Sequence, residues 1–394
     1  MSVKGFSAAA VGAGIRYQHR LDLGLIYSDR PAVAAGVFTT NRVKAAPVLL
    51  DIERLRRGQA QAILVNSGNA NACTGEQGME LARSVGQMAA DRLGIDPELV
   101  QIASTGVIGE ALDTGPFAEA MPELIASLSK DGFDDLAMAI MTTDTVPKVV
   151  RKTIDVVGVP VSILGVAKGS GMIMPDMATM LCFLITDARI VFPVLREIVT
   201  TGVENTFNRI TVDGDTSTND TVLVLANGAA GNPWLDEDSP AAVESFGRAV
   251  TEVFGKLATK IVADGEGATK AVTIQVKGAR DKDGALAAAR TIANSPLVKT
   301  AFFGQDPNWG RIMAALGRSD CFFHPDRVSI AFDDVPIVVE GTGLGPEAER
   351  KSAQVMQQDA FILTIDLHDG SGSGEIQTCD FSKEYIEINA DYRS

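Results

Sequence analysis

Hydrophobic and polar residues follow two periods along the chain, which predict a mixture of strands and helices. Short apolar runs bounded by turn residues are typical of strands, and we expect strands at residues 33–39, 61–67, 149–157, 161–167, 222–226, 270–276, 328–332, 335–339 and 361–367. Apolar residues at helical spacing predict helices at residues 76–93, 117–129, 193–207, 241–262, 283–303, 309–316 and 350–358. Several strands with long covering helices indicate a layered α/β sandwich.

The stretch 168–188, KGSGMIMPDMATMLCFLITDA, carries the strongest local signal. A glycine-punctuated loop turns at Pro175, and the nearly continuous apolar run 177–185 then predicts a buried strand. Thr179 stands near the start of that run, directly after Ala178. Such a threonine is commonly a β-branched strand residue whose hydroxyl bonds to backbone. The alternative is a chain that cuts itself before Thr179, so that the new amino-terminal threonine carries both the nucleophile and its activating base.

This segment resembles the self-cleavage region of the ornithine acetyltransferase family, which includes the bifunctional glutamate N-acetyltransferase/amino-acid acetyltransferases of arginine biosynthesis. The family shows G-x-G-M-I-x-P-x-M-A-T-M-L, and every specified position is present in this chain between Gly169 and Leu181. One departure is Asp176, where the family usually has Asn. The resemblance runs from the N-terminal region to the last residue.

The resemblance implies a layered α/β sandwich of the type shared with the self-processing DmpA-type aminopeptidases. It implies a precursor that cuts itself between Ala178 and Thr179 into an α chain (1–178) and a β chain (179–394), which assemble as an α2β2 heterotetramer or larger. Thr179 then accepts the acetyl group of N-acetylornithine and passes it to glutamate by a ping-pong mechanism. No metal or tightly bound cofactor is implied. Whether acetyl-CoA is also a donor, as in an N-acetylglutamate synthase, stays open.

Thr105 and Gly106, in the segment ASTGVIGE, are candidates for an oxyanion hole. An acyl-transfer site needs donors for the tetrahedral intermediate, each contributing on the order of 3 kcal/mol. A glycine N–H can approach a substrate closely, and the threonine adds a hydroxyl. A Thr-Gly pair by itself is more typical of a turn or a helix cap. The resemblance assigns the pair to the oxyanion hole.

Five more residues are assigned to substrate binding by the resemblance. Thr142, in MTTDTVPK, contacts the substrate, Lys168 binds its carboxylate end, and Glu266, in IVADGEGATK, pairs with its amino group. Asn389 and Ser394 line the same pocket, with Ser394 where the family usually ends in Thr. Simpler interpretations are a capping hydroxyl, a solvated lysine, a surface glutamate and a frayed chain end.

Composition excludes several other functions. A net charge of −15 argues against a nucleic-acid surface, and no apolar stretch is long enough for a membrane span. The chain has four cysteines and three histidines without zinc-type spacing, and sparse cysteines fit a reducing compartment. We therefore expect a cytoplasmic enzyme with no nucleic-acid or membrane partner, whose first residues form a strand and turn rather than a signal peptide.

Three alternatives to the transferase stay open. An N-terminal-nucleophile aminopeptidase or amidase would share the cut but pass the acyl group to water. The Lys168–Glu266 pair favours an α-amino acid substrate, and faster product release with glutamate would separate the two enzymes. A non-enzymatic amino-acid-binding module would keep the pocket without cleavage. An uncut protein with a structural Thr179 is the simplest alternative.

Three loop segments have no assigned chemistry. The loop NSGNANACTG, residues 66–75, is either a tight connection or a wall of the active site. QDPNWGR, residues 305–311, belongs to the family pattern as a structural or pocket-wall segment. GSGSG, residues 370–374, is predicted to be a flexible hairpin connection.

Overall fold

A computed structural model describes residues 2–174 and 180–391, and the chain divides into two compact units. Unit 1 comprises Met1–Asn208 and Asp215–Ile261, and unit 2 comprises Arg209–Gly214 and Val262–Ser394. The predicted α and β chains are a covalent division at one peptide bond. Spatial units do not test such a division, so it stays a prediction.

Strands and helices alternate irregularly along the chain and are numbered separately in chain order. The strands are β1 (Phe6–Val11), β2 (Leu23–Phe38), β3 (Gln59–Asn66), β4 (Val100–Ser104), β5 (Lys148–Val156), β6 (Val159–Lys168), β7 (Leu181–Thr186), β8 (Ile210–Thr211), β9 (Thr221–Ala226), β10 (Ala271–Ala279), β11 (Ser329–Phe332), β12 (Val335–Val339), β13 (Thr342–Gly343), β14 (Ala360–Asp366) and β15 (Gly372–Cys379). The helices are α1 (Ala46–Arg54), α2 (Gly75–Leu93), α3 (Gly115–Ala126), α4 (Phe133–Ala139), α5 (Phe192–Glu204), α6 (Pro240–Ala263), α7 (Lys282–Ala293), α8 (Pro296–Phe303), α9 (Trp309–Gly317), α10 (Pro346–Val355) and α11 (Lys383–Ala390). Short 3-10 helices occur at Leu55–Arg57, Pro97–Leu99, Phe207–Arg209 and Pro325–Arg327.

Unit 1 is built on a mixed sheet with strand order β4-β3-β2-β9-β7-β6-β5, and β1 pairs with β2. Alternate residues of β3 enter two different hydrophobic clusters. Ile63 and Val65 join the cluster that contains α4, whereas Ala62 and Leu64 join the one that contains α2 and α3. Because both faces are covered, the strands are continuous apolar runs, and this is why the hydrophobic pattern predicts them.

Unit 2 is built on a second mixed sheet, with strand order β13-β12-β11-β14-β10-β15-β8. In β10, Val272, Ile274 and Val276 are buried in the core, while Thr273 and Gln275 between them are half-buried. This period of two is the pattern of a sheet with one face on the core. The core of unit 2 also includes apolar residues of α7, α8 and α9.

Two expectations about local structure are wrong. The single helix predicted at 283–303 is two helices, because α7 ends at the cap residue Asn294 and α8 restarts with Pro296 in its first turn. The GSGSG segment is not simply a flexible connection, since β15 begins at Gly372. A Cβ on Gly374 would lie 2.8 Å from the backbone nitrogen of Leu286, so glycine at this position allows α7 to pack closely on the strand.

Candidate active site

Lys168 is the last residue of β6, and its buried ammonium group lies beside two threonine hydroxyls. Nζ donates to Thr142 Oγ1 at 2.7 Å and to Thr105 Oγ1 at 3.5 Å. Lys168 is 3% exposed and Thr105 is 5% exposed, so the interpretation of Lys168 as a solvated surface lysine is wrong. Three residues predicted from separate segments of the sequence therefore converge at one point in unit 1.

Asp144 lies next to this ammonium group and was not predicted from the sequence. Its Oδ1 accepts hydrogen bonds from Lys148 Nζ and from Gly169 N, both at 2.7 Å. Its Oδ2 accepts from Thr142 N at 3.1 Å and lies 3.7 Å from Lys168 Nζ. Burial alone raises the pKa of Asp144, but the charges of Lys168 and Lys148 and the hydrogen bonds outweigh it and lower the pKa to about 2. We refer to Lys168, Thr142, Thr105, Asp144 and Lys148 as the lysine cluster.

Gly106 is held against the NSGNANACTG loop by a close backbone approach. Its φ is +132°, and a Cβ there would overlap the carbonyl carbon of Gly68 and lie 2.5 Å from Asn69 N. The adjacent Thr105 N donates to Asn66 O at 3.0 Å. Only glycine fits this position without moving the neighbouring backbone. The loop therefore packs against the predicted oxyanion-hole segment. A wall of the active site would be expected to make this contact.

Asp220 immediately precedes β9 and is fully buried. Its Oδ1 accepts a hydrogen bond from Met180 N at 3.0 Å, and Met180 is the residue that follows Thr179 in the sequence. Burial raises the pKa of Asp220 well above its usual range, although the hydrogen bond from Met180 and the charge of Lys168 act in the opposite direction. The protonated form is therefore favoured more than in an ordinary aspartate.

Glu266 and Asn389, both predicted to bind substrate, contact each other in unit 2. Asn389 is exposed on α11 and donates from Nδ2 to Glu266 Oε2 at 2.8 Å, while Glu266 is only 6% exposed. The loop that follows Glu266 packs closely against α11, because a Cβ on Gly267 (φ +66°) would lie 2.6 Å from a backbone nitrogen of that helix. Asp380 anchors the end of the same loop by accepting from Thr269 N at 2.8 Å. We refer to Glu266 and Asn389 as the glutamate pair.

The remaining predicted site residues, Ala178, Thr179 and Ser394, lie outside the described residues. The nucleophile, the cleavage site and the role of the last residue therefore stay predictions. Within 2–174 and 180–391, no group of three or more His, Cys, Asp and Glu side chains is placed to hold a metal ion. In that same part of the chain, no helix combines the length and apolar character needed to cross a bilayer.

Two mixed sheets covered by helices make the chain an α/β protein, and unit 1 holds a buried ammonium group among hydroxyls. The chain belongs to the ArgJ family, whose model matches residues 7–394. It is 56% identical over 394 residues to the arginine biosynthesis bifunctional protein ArgJ of Desulfotalea psychrophila, with 100% of each chain covered. It is 52% identical over 394 residues to the protein of the same name from Geobacter sulfurreducens, again with 100% of each chain covered.

A solved structure supports the fold. The crystal structure of the arginine biosynthesis bifunctional protein from Bacillus halodurans matches with a TM-score of 0.51 and 39% identity. The match covers 53% of this chain and 97% of that one. The predicted family and the predicted layered α/β fold are therefore confirmed.

Proposed function

We propose that this chain is a glutamate N-acetyltransferase that moves the acetyl group of N-acetylornithine to glutamate in the cyclic route of arginine biosynthesis. Relatives that match it from end to end carry the name arginine biosynthesis bifunctional protein. This membership confirms the expected class, an acyltransferase of arginine biosynthesis. The observation that supports the detailed mechanism is the meeting of Lys168 Nζ with the hydroxyls of Thr142 and Thr105.

In the proposed mechanism, the lysine cluster holds the acyl substrate. The Lys168 ammonium is a compact charge with three N–H donors, which suits an amino-acid carboxylate. Thr142 contacts the same substrate through its hydroxyl, 2.7 Å from Lys168 Nζ. The Thr105 hydroxyl and the Gly106 N–H stabilise the oxyanion of the tetrahedral intermediate.

The glutamate pair has the complementary task of recognising the amino group. The Glu266 carboxylate pairs with the ammonium group of the amino acid, and Asn389 fixes that carboxylate through its hydrogen bond to Oε2. Ser394 contributes a further hydroxyl to the same pocket.

The chemical step is assigned to Thr179 after a cut between Ala178 and Thr179. The cut exposes an α-amine with an ordinary pKa of about 7.7–8.0, which accepts the proton of its own side-chain hydroxyl. Oγ attacks the acetyl carbonyl carbon, the bond to the α-nitrogen of ornithine breaks, and that nitrogen takes the proton and leaves. The amine of glutamate then attacks the acetyl ester and regenerates Thr179. An uncut Thr179 has an amide nitrogen in place of the base.

Other parts of the proposal concern the setting of the reaction. The mechanism uses no metal and no bound cofactor, and acetyl-CoA is a candidate second acetyl donor. The α and β chains stay together as an α2β2 heterotetramer or larger. A biosynthetic role with free amino acids as substrates supports the expected cytoplasmic location.

The test begins with a denaturing gel and N-terminal sequencing of the purified protein. We expect two chains, one of which starts at Thr179, and Thr179→Ala should give one uncut and inactive chain. The cut protein is then incubated with N-acetylornithine, with and without glutamate. Ornithine and N-acetylglutamate should appear in equal amounts only with glutamate. Release of ornithine and acetate at the same rate without glutamate would identify the alternative aminopeptidase or amidase.

A further inference from the structure

Three interactions of the Asp144 carboxyl restrain Lys168 or its neighbours. Through Oδ1 it accepts from the N–H of Gly169, the next residue along the chain, at 2.7 Å. Through Oδ2 it accepts from the N–H of Thr142, whose hydroxyl contacts Lys168 Nζ, at 3.1 Å. The same Oδ2 faces Nζ itself at 3.7 Å. One side chain thus restrains the backbone, the hydroxyl partner and the charge of Lys168.

Lys148 gives Asp144 a counter-charge of its own. Lys148 Nζ donates to Oδ1 at 2.7 Å, and the Lys148 and Asp144 side chains are both fully buried. A buried carboxylate with one firm ion pair remains ionised when its second cation turns towards a ligand. The 3.7 Å from Oδ2 to Lys168 Nζ exceeds hydrogen-bond length, so Asp144 stabilises the ammonium without taking a donor from it.

We propose that Asp144 is a positioning residue of the acetyl transfer, which aims the Lys168 ammonium and the Thr142 hydroxyl at the carboxylate of the amino-acid substrate. The inference rests on the proposed function, because it assigns Asp144 to the binding of that substrate. It acts through Lys168 and Thr142 and does not itself touch the substrate. The competing explanation is that Asp144 only ties the 142–148 turn to the end of β6.

The first test compares Asp144→Asn with a matched control, Asp187→Asn. Asp187 is also a buried acid of unit 1 and accepts backbone N–H groups, from Ser162 at 2.7 Å and from Lys4 at 3.3 Å, away from the lysine cluster. We expect Asp144→Asn to raise the KM for N-acetylornithine by about tenfold or more, from the strength of charge-assisted hydrogen bonds. The kcat should change by less than about threefold. Asp187→Asn should leave both constants near their wild-type values.

The second test does not depend on catalysis. Denaturant midpoints are measured for Asp144→Asn, Lys168→Met and the double variant, with Asp187→Asn replacing Asp144→Asn in a parallel cycle. In the first cycle, we expect the double variant to lose less stability than the two single variants lose together, because Asp144 and Lys168 are in contact. In the second cycle, the losses of stability should add, because Asp187 and Lys168 are not in contact.

The inference requires both results. If the wild type transfers acetyl groups and Asp144→Asn keeps its KM, or if the first cycle is additive, the inference is overturned while the proposed function stands. If the wild type fails to transfer acetyl groups from N-acetylornithine, the proposed function fails. The first cycle then still reports whether Asp144 holds Lys168. If Asp144→Asn remains uncut, its KM cannot be measured, and the stability cycle with Lys168→Met tests the inference instead. Asp144→Glu keeps the charge and should restore cleavage.

Discussion

Met180 donates its backbone N–H to Asp220 Oδ1 at 3.0 Å, which ties the residue after Thr179 to a fully buried acid. Burial raises the pKa of Asp220 above that of the same group in the unfolded chain. The folded state therefore binds a proton that the unfolded state has lost. In that case the free energy of unfolding falls as the pH rises from about 4 towards the raised pKa.

Asp220→Asn places a neutral side chain of the same size at this position and should remove that fall. We expect the free energy of unfolding of the variant, relative to wild type, to rise between pH 5 and pH 8, because only the wild type loses the contribution of the bound proton. Urea denaturation at several pH values measures it. Parallel pH profiles for the two proteins would contradict the assignment.

Asp144 should show the opposite dependence on pH. Its pKa is lowered to about 2, so its contribution to stability is present above the unfolded pKa of about 4 and is lost as the pH falls towards 2. A shift of this size corresponds to about 2 kcal/mol. About half of this contribution is lost by pH 3, so between pH 6 and pH 3 the loss of stability should be smaller by about 1 kcal/mol in Asp144→Asn than in wild type. Urea titrations between pH 6 and pH 3 measure the difference, and equal acid losses would sink the prediction.

Gly106→Ala tests the close approach behind the predicted oxyanion hole. The new Cβ would lie 2.5 Å from Asn69 N, on a backbone with φ +132°. We expect a loss of about 3 kcal/mol or more in the free energy of unfolding, together with loss of acetyl transfer. Gly109→Ala is the matched control in the same segment, because its φ is +83° but its Cβ would meet nothing within 4 Å. Gly109→Ala should lower the free energy of unfolding by only about 1–2 kcal/mol and should retain acetyl-transfer activity. Equal effects of the two substitutions would refute the steric argument.

The sequence alone predicts the fold best where one physical pattern dominates. Strands covered on both faces, such as β7 and β9, are unbroken apolar runs, and α2 and α6 show helical spacing over many turns. The hydrophobic pattern did not predict α1, which is short and has Pro47 in its first turn. It also did not predict β4, where the buried polar residues Gln101 and Ser104 interrupt the apolar run. Such elements form because tertiary packing buries them.

The candidate site was predicted from motif resemblance and not from periodicity. The resemblance selected Thr105, Thr142 and Lys168, and their hydrogen bonds are a product of the fold. It gave no signal for Asp144 or Asp220, because a lone aspartate in a polar loop is ordinary in sequence. Only burial and the arrangement of donors around each carboxyl distinguish these acids from surface ones.

The glutamate pair permits a prediction that separates charge from position. Glu266→Gln keeps the side-chain size but loses the negative charge, so the KM for N-acetylornithine and for glutamate should rise by about tenfold or more. Asn389→Ala keeps that charge but removes the 2.8 Å hydrogen bond to Oε2, and a smaller rise of a few-fold in the same KM values should follow. Glu387→Ala is the control, because Glu387 is exposed on the same helix. Steady-state kinetics with each substrate measure the KM of the three variants and show whether their effects follow this ranking. If Asn389→Ala had no effect, or Glu387→Ala had an equal one, the contact would not serve binding.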